Sequence, residues 1–428
     1  MADAVGIGLL GCGIVGAEVA QTLAAHEEEI TQRVGARLEI RKVAVRNLGK
    51  DRDVDLPESV FTDNASEVVS DPDIQVIIEV MGGIEPTRAL ILEAFAAGKH
   101  VVSANKELIG TLGKELFDAA DRAEVEFSFE AAVAGGVPIV RPLKESLAGE
   151  RVERIVGILN GTTNYILTKM TEEEMEFGEA LAEAQSLGYS ELDPTADIEG
   201  FDAAAKLSIL ASIAFNANVV AGDVYREGIT KVALADIAFA ENLGYAVKLL
   251  AIAEKVGDEI AMRVHPAMIP GTHPLASVRD NLNAIFVEGG KVGEVMFYGR
   301  GAGGAPTAIS VIGDVIDVAR HIVGGGSGVR HARGSDAKVR PMNQTRSQYY
   351  VLLRIADRPG VLAQVAQAFT DNEVSIRSVL QEGFGDEASL IMVTHSALEQ
   401  NFQALLTALR HLDVVEDVVS SMRVQSAE

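Results

Sequence analysis

The sequence predicts an α/β protein: a doubly wound parallel sheet first, an α+β domain second, and a small βαββαβ unit last. Three observations lead there. Short apolar stretches alternate with helical ones from Val5 to Phe129, as in a parallel sheet covered on both faces. The first strand-to-helix turn reads Gly11-Cys12-Gly13-Ile14-Val15-Gly16. The tail from Tyr349 to Val424 runs strand, helix, strand, strand, helix, strand. The expected boundaries in this 428-residue chain are 1–135 for the first domain, completed by about 305–323, then 136–304, a linker over 324–348, and 349–428.

Val5–Leu10 is a short apolar strand and Ala17–Ala25 a helix, so the glycine motif sits between strand and helix. In that context its glycines permit a tight turn and close approach of a pyrophosphate to the helix N-terminus. This is a Rossmann-type dinucleotide turn, with Gly11, Cys12, Gly13, Ile14, Val15 and Gly16 as cofactor contacts. Cys12 is read as a small packing residue rather than a nucleophile. The second strand, Leu38–Val45, ends at Arg46 with Lys50 and Arg52 following, where an acid would grip the ribose of NAD. That favours the 2′-phosphate of NADP, with NAD still possible and a solvated basic loop as the plainer reading. The insertion Glu27–Arg37 makes the spacing unusual.

Strand Ile74–Val80, helix Thr87–Ala97, strand His100–Ser103, helix Leu112–Arg122 and strand Val125–Phe129 continue the alternation. Ligands of such sheets gather beyond the carboxyl ends of strands. Met81-Gly82-Gly83 and Ser103-Ala104-Asn105-Lys106 therefore face the cofactor, with Lys106 near the nicotinamide end unless it is simply a solvated first-turn lysine.

Val133–Pro138 crosses into the second domain, and Asn160-Gly161-Thr162-Thr163-Asn164 is a polar turn opening a helix. Thr171-x-x-Glu174 reads as a capping box. Strands are expected near Ala246–Ala253, Ala261–His265, Ala284–Glu288 and Val292–Phe297. A second glycine loop, Gly299–Thr307, leads into a helix over Ala308–Ile322 that returns to the first domain; it is either a cofactor contact or a hinge.

The chemistry gathers between Gly188 and Leu207. Lys206 is the one basic side chain between Lys169 and Arg226, and it follows Glu191, Asp193, Asp197, Glu199 and Asp202. Pro194 and Gly200 break the front half into loop; Phe201–Phe215 is an apolar, buried helix. Asp202 and Lys206 are four apart, hence neighbours on one face. A surface ion pair is the plain alternative. In the functional reading a lysine gives a proton to an oxyanion while carboxylates bind an ammonium-bearing substrate. The carboxylates favour a charged Lys206 and burial a neutral one; the sequence leaves both open.

Beyond the linker, Tyr349–Ala356 is a strand, Asp357-Arg358-Pro359-Gly360 a turn, and Val361–Thr370 a helix. Strands Val374–Gln381 and Ala388–Thr394 flank a turn at Gly383–Asp386, and a helix capped by Ser396-x-x-Glu399 precedes the last strand, Val414–Val424.

Apolar residues make up 48% of the chain and charged ones 23%, a globular composition. The net charge of −25 argues against nucleic acid or an anionic membrane as partner. One cysteine excludes an intrachain disulfide and fits a reducing compartment. With no apolar stretch of spanning length the protein is expected to be cytoplasmic. The eight histidines show no paired-ligand spacing for zinc.

Four motifs, GCGIVG at Gly11, SANK at Ser103, GILNGTTNYIL at Gly157 and GYSELDPTADIEGFDAAAKL at Gly188, resemble the homoserine dehydrogenases over nearly the whole chain. The last two are the most specific. The tail, with Asp357-Arg358-Pro359-Gly360-Val361-Leu362 and Asn372-Glu373-Val374-Ser375-Ile376, resembles an ACT domain, a small-ligand sensor of amino-acid metabolism.

The resemblance implies NAD(P)-dependent interconversion of L-homoserine and L-aspartate 4-semialdehyde, in threonine, methionine and isoleucine biosynthesis. It makes the second domain the substrate-binding and dimerisation domain. It implies Lys206 as proton donor, Lys106 as a lysine shared by cofactor and substrate, and Glu191, Asp202 and Asp197 as acids of the substrate site. Gly188 would lie beside both ligands, and Gly82, Ser103, Asn105 and Gly303 on the cofactor. A sodium ion would be held by carbonyls of Val133, Gly135 and Val137, with Glu130 contributing. An amino-acid effector such as L-threonine and a homodimer or homotetramer are implied as well. Aspartate-semialdehyde dehydrogenase chemistry is excluded because it needs a catalytic cysteine and Cys12 lies in the dinucleotide turn. A non-catalytic amino-acid sensor and a different oxidoreductase on the same scaffold are the competing readings.

Overall fold

The computed structural model describes residues 4–326, 328, 334–383 and 388–425. Its elements up to residue 158 are β1 (Ala4–Leu10), α1 (Ile14–Ala25), α2 (Glu27–Val34), β2 (Arg37–Ala44), β3 (Phe61–Thr62), α3 (Ala65–Ser70), β4 (Val76–Glu79), α4 (Thr87–Ala96), β5 (His100–Ser103), α5 (Lys106–Ala123), β6 (Phe127–Ser128), α6 (Val140–Lys144) and β7 (Val152–Ile158). Then come α7 (Gly161–Glu172), α8 (Phe177–Ser186), α9 (Thr195–Ile198), α10 (Phe201–Ala214), β8 (Tyr225–Arg226), α11 (Leu234–Asn242), β9 (Tyr245–Val256), β10 (Glu259–Pro270), β11 (Leu282–Gly289), β12 (Gly293–Arg300) and α12 (Gly304–Gly324). The last are β13 (Lys338–Val339), β14 (Arg346–Ile355), α13 (Val361–Asp371), β15 (Ile376–Glu382), β16 (Ser389–Thr394), β17 (Ala397–Leu398), α14 (Glu399–Arg410) and β18 (Val415–Val424).

The chain forms two compact units interleaved in sequence. The first comprises Met1–Gly161, Phe201–Val224 and Asn281–Ala337. Its main sheet has the order β3-β2-β1-β4-β5-β6 with every pair parallel. The order reverses between β1 and β4, and beyond their carboxyl ends lies the crevice where such sheets bind dinucleotides. β1 is buried along nearly its whole length because helices cover both faces. One of those helices is α12: Val311, Val315 and Val318 share a core with Val5, Ile7, Leu9 and Val19. The unit also holds an antiparallel set, β12-β11-β7.

The second unit comprises Thr162–Gly200, Tyr225–Asp280 and Lys338–Glu428. The long hairpin β9-β10 is antiparallel, and the tail forms the order β18-β14-β16-β15 with α13 and α14. That is a ferredoxin-like sheet, with a core built on Tyr349, Val351, Val365, Met392 and Leu405. β10 and β18 pair in parallel at Ala267↔Arg423 and Met268↔Val424.

Several local expectations change. Residues 27–34 form helix α2. Thr171 and Glu174 make no capping box: Thr171 sits in the last turn of α7 with its hydroxyl on the Leu167 carbonyl, and Glu174 has φ 51°. The Ser396 cap is also absent, since α14 starts after Leu398 and Glu399 turns inward to bind Arg423. The helix expected from Leu112 begins at Lys106 and is interrupted at Leu112. The stretch read as linker carries β13, paired with β10, and Ser335 bridges to Ala217. Of the turn at Gly383–Asp386, residues 384–386 lie outside the described residues. Among the described residues no helix is long and apolar enough to cross a membrane.

Candidate active site

The dinucleotide turn is built by three different glycine requirements. Gly11 has φ 99°, and a Cβ there would stand 2.9 Å from the Val80 carbonyl oxygen. At Gly16 a Cβ would come within 2.4 Å of the Gly11 carbonyl oxygen, so α1 can rise directly from the turn only with glycine. At Gly13 a Cβ would meet nothing within 4 Å, which leaves the start of α1 open. No side chain caps α1, so its first amides are available to an anion. Burial raises the Cys12 thiol, with Arg52 opposing in part, so it is not an activated nucleophile. Ile14 is exposed and Val15 half-buried beside this opening.

The second glycine loop belongs to the same crevice. Gly303 precedes α12 with φ 115°, and a Cβ on Gly304 would press to 2.7 Å from the Ile14 side chain. Two helix N-termini, of α1 and α12, thus stand side by side. Arg46 is exposed just after β2, in a loop folded by Arg52, whose guanidinium donates to the Asn47 and Lys50 carbonyls.

Sequence reasoning passed over Glu79, which organises the loops beyond β4 and β5. Its buried carboxylate accepts from Met81 N at 2.8 Å, Gly82 N at 3.2 Å and Ser103 Oγ at 2.6 Å. Ser103 Oγ accepts from Asn105 N; Asn105 caps α5 through Leu108 N and donates to the Gly83 carbonyl. One buried acid therefore sets Gly82, Ser103 and Asn105, and with them the start of α5 at Lys106. Burial raises its pKa, opposed by the donors it accepts from.

Lys106, Asp202 and Lys206 come together. Lys206 Nζ donates to Asp202 Oδ2 and to the Leu159 carbonyl, each at 2.7 Å. Lys106 pairs with the other carboxylate oxygen, and Asn160 Nδ2 donates to Oδ2 at 2.9 Å. The side chains of Asp202 and Lys206 are 4% and 8% exposed, whereas that of Lys106 is 45% exposed. The surface-pair alternative therefore fails for Asp202 and Lys206. Burial alone would raise the Asp202 carboxyl, but the Lys206 and Lys106 ammoniums outweigh it and hold it well below the usual carboxylate range. Helices α5 and α10 approach closely because residue 110 is glycine: a Cβ there would meet the Ala205 carbonyl at 3.0 Å. A cavity of about 780 Å³ lies farther along these helices, lined by Phe117, Lys144 and Ser212, and none of the three charged residues borders it.

Gly188, Glu191 and Asp197 lie in the second unit. Gly188 ends α8 in a left-handed turn, φ 74°. Asp197, on α9, stands with Oδ2 3.1 Å from Thr162 Oγ1, which is also 2.7 Å from the Tyr189 carbonyl. Thr162, unassigned by the sequence, thus stands between Tyr189 and Asp197 and can give its one proton to either. Glu191 is exposed, and Leu192 beside it is 95% exposed.

The 130–137 stretch is braced by Glu130. Its carboxylate accepts from the amides of Ile139, Val140 and Arg141 at 2.6–2.8 Å. Its side chain is thus committed to amides rather than presented as a metal ligand. The Gly135 carbonyl accepts from Ser310 Oγ at 2.7 Å, and the carbonyls of Val133 and Val137 accept no hydrogen bond among the described residues. Carbonyl donors without a free carboxylate suit a monovalent cation better than a divalent one. No group of three or more His, Cys, Asp or Glu that would hold a metal occurs among the described residues. Nearby, burial pushes the Asp314 carboxyl up to about 7, against the Glu130 amide and Arg141 that donate to it.

Comparison with known proteins accounts for nearly all of the chain. Residues 11–130 match the NAD binding domain of homoserine dehydrogenase, 138–316 the homoserine dehydrogenase family, and 349–413 the ACT domain. Homoserine dehydrogenase of Mycobacterium tuberculosis is 47% identical over 432 residues, covering 98% of each chain. The crystal structure of a homoserine dehydrogenase from Thiobacillus denitrificans superposes with TM-score 0.92 at 40% identity, covering 99% of this chain and 98% of that one. A hyperthermophilic archaeal homoserine dehydrogenase in complex with NADPH gives TM-score 0.63 at 28% identity, over 74% and 97%.

Proposed function

Since the chain belongs to the homoserine dehydrogenase family, the NAD(P)-dependent oxidoreductases that interconvert L-homoserine and L-aspartate 4-semialdehyde, we propose that Lys206 gives the proton to the aldehyde oxygen as it becomes the alcohol. The observation that carries this reading is a buried carboxylate, Asp202, held between a buried lysine and a half-exposed one. Lys106 opens α5 directly after the Ser103–Asn105 turn, beyond the carboxyl end of β5, the side of the sheet where cofactors bind. Asp202 orients both ammoniums. A lysine is suited to the role because it is a donor that can lose its proton, as arginine is not.

The bound nicotinamide cofactor supplies or accepts the hydride. The open starts of α1 and α12, with Gly11 to Gly16, Gly82, Ser103, Asn105 and Gly303, fit the pyrophosphate and nicotinamide, and Arg46 favours NADP over NAD. Glu191 and Asp202 are our candidates for binding homoserine, with Asp197 a further acid that binds the substrate, Gly188 supplying a close backbone approach and Lys106 as the lysine for cofactor and substrate. Orientation of this kind lowers the barrier without taking part in the chemistry. The Val133, Gly135 and Val137 carbonyls, in the loop that Glu130 braces, would hold a sodium ion, which would supply a fixed positive charge there. The ACT domain answers to an amino acid, for which L-threonine is our candidate. We read the protein as a cytoplasmic homodimer or homotetramer.

Homoserine-dependent reduction of NADP and of NAD, by wild type and Lys206→Ala, tests the reading. Wild type is expected to turn over, faster with NADP, and the variant to lose about a hundredfold or more in kcat with NADP binding intact. A wild-type protein that binds NADP yet leaves homoserine unoxidised would instead be a sensor.

A further inference from the structure

The tail is fastened to the acidic loop through one partly exposed acid. Arg423, near the end of β18, is gripped by Glu399 of α14 through two bonds, Nε to Oε2 at 3.0 Å and Nη2 to Oε1 at 2.6 Å. Tyr349 OH donates to Glu399 Oε2 at 2.9 Å and Gln403 Nε2 to Oε1 at 2.9 Å, so this carboxylate is fixed within the tail. The remaining terminal nitrogen of Arg423, Nη1, donates to Glu227 Oε2 at 2.6 Å. Glu227 follows β8, and its amide donates to the Val264 carbonyl of β10 at 2.8 Å.

The next three residues hold α9. A Cβ on Gly228 would lie 2.3 Å from the Ile198 carbonyl oxygen and 2.7 Å from Glu199 Oε2, so backbone presses directly on backbone there. Ile229 N donates to the Ile198 carbonyl at 2.9 Å, and Thr230 Oγ1 to Glu199 Oε1 at 3.2 Å. Asp197 is the residue before Ile198. Glu227 is therefore linked to Asp197 through the Gly228 contact and the Ile229 hydrogen bond on the Ile198 carbonyl.

We propose that Glu227 is a positioning residue for substrate binding: bridged to Arg423, it seats α9 and sets where Asp197 presents its carboxylate, so the state of the ACT domain is felt at the acidic loop. The proposal rests on the reading that Asp197 binds the substrate. It needs no movement of the lysines, so it acts on homoserine binding and leaves the proton transfer alone. Coupling of this kind is reciprocal: what shifts the tail shifts the loop, and substrate on the loop shifts the tail.

The test compares full-length wild type, Glu227→Ala, Glu227→Gln and Glu399→Gln. Glu227→Ala leaves Arg423 paired with Glu399, and melting temperature checks that it folds. Its homoserine KM is expected to rise about tenfold with kcat and NADP KM unchanged, and amide hydrogen exchange to quicken at 197–200. Glu227→Gln, which keeps an acceptor for Arg423, should fall between the two. Glu399→Gln should quicken the same amides from within the tail. A lowered melting temperature with homoserine KM and exchange at 197–200 unmoved would overturn the proposal, leaving Glu227 a merely structural acid. Exchange unchanged in Glu399→Gln would overturn its link to the tail. The exchange readout needs no turnover, so a wild type inactive on homoserine would strike the reaction reading while exchange still decides the bridge.

Discussion

Two of the buried ion clusters among the described residues have inverted composition. In the first unit one carboxylate, Asp202, stands between two lysines; in the second one guanidinium, Arg423, stands between two glutamates. Both centres are buried, with Asp202 4% and Arg423 7% exposed, and both are built on charge-assisted hydrogen bonds. They differ in what they offer. The Arg423 cluster is held by a residue that cannot give up its proton, lies beside the stacked rings of Tyr349 and Phe402, 3.7 Å apart, and meets solvent mainly through the acid Glu227, which has no proton to give. The Asp202 cluster carries two titratable ammoniums, one of them partly open to solvent. Burial and pairing alone do not single out a candidate reactive site; a removable proton next to an opening does.

Exchanging the cations is the sharpest way to break this contrast. Lys206→Arg keeps the charge beside Asp202 but pins the proton, so kcat should fall about 10²- to 10⁴-fold, with NADP binding retained in titration. A variant with near wild-type kcat would remove Lys206 from proton transfer. Arg423→Leu leaves Glu399 buried without its cation and should cost about 3–5 kcal/mol in urea unfolding; a loss below 1 kcal/mol would mean the cluster is as weak as a surface pair. Arg423→Lys preserves charge and loses the two-pronged grip on Glu399, so about 1–3 kcal/mol is expected by the same measurement.

A third buried acid sharpens the comparison through pH. Asp202 is buried too, but its two lysines pull it well below the usual range, whereas burial pushes Asp314 up to about 7 despite the Glu130 amide and Arg141 that donate to it. A depressed carboxylate contributes stability above its unfolded pKa of about 3.9 and loses it as pH falls. A raised one does the opposite: the contribution of Asp314 is whole below about 3.9 and is lost as pH climbs through about 7. Unfolding midpoints of Asp314→Asn between these values should therefore fall less steeply with pH than those of wild type, and parallel curves would show that Arg141 keeps Asp314 ionised throughout.

Periodicity and glycine chemistry made the dinucleotide sheet legible, because a parallel strand buried on both faces reads as an apolar run, Gly16 is forced by the Gly11 carbonyl within the motif, and Gly11 by its own left-handed backbone, while the Val80 carbonyl that also presses on Gly11 lay beyond any local reading. The Asp202–Lys206 pair was legible for the same reason, being one helical turn apart in an apolar helix. Glu79, Asn160 and Thr162 were not, though the polar turn at 160–164 was a signal that a site lay near. Each acts on groups far away in sequence, Glu79 on Ser103 and Asn160 on Asp202. Capping boxes misled at Thr171 and Ser396, where hydroxyl and acid found better partners.

The sequence by itself determined the order of elements, the nucleotide turn, the ferredoxin-like tail and the Asp202–Lys206 pairing, since all follow from local backbone preference and from side chains one turn apart. Only the tertiary structure decided that Lys106 shares Asp202 with Lys206, that one buried Glu79 sets two loops at once, and that Glu227 joins Arg423 to the seat of Asp197. These depend on where strands and helices come to rest against one another, and on how few donors a buried charge can find there, which no spacing along the chain encodes.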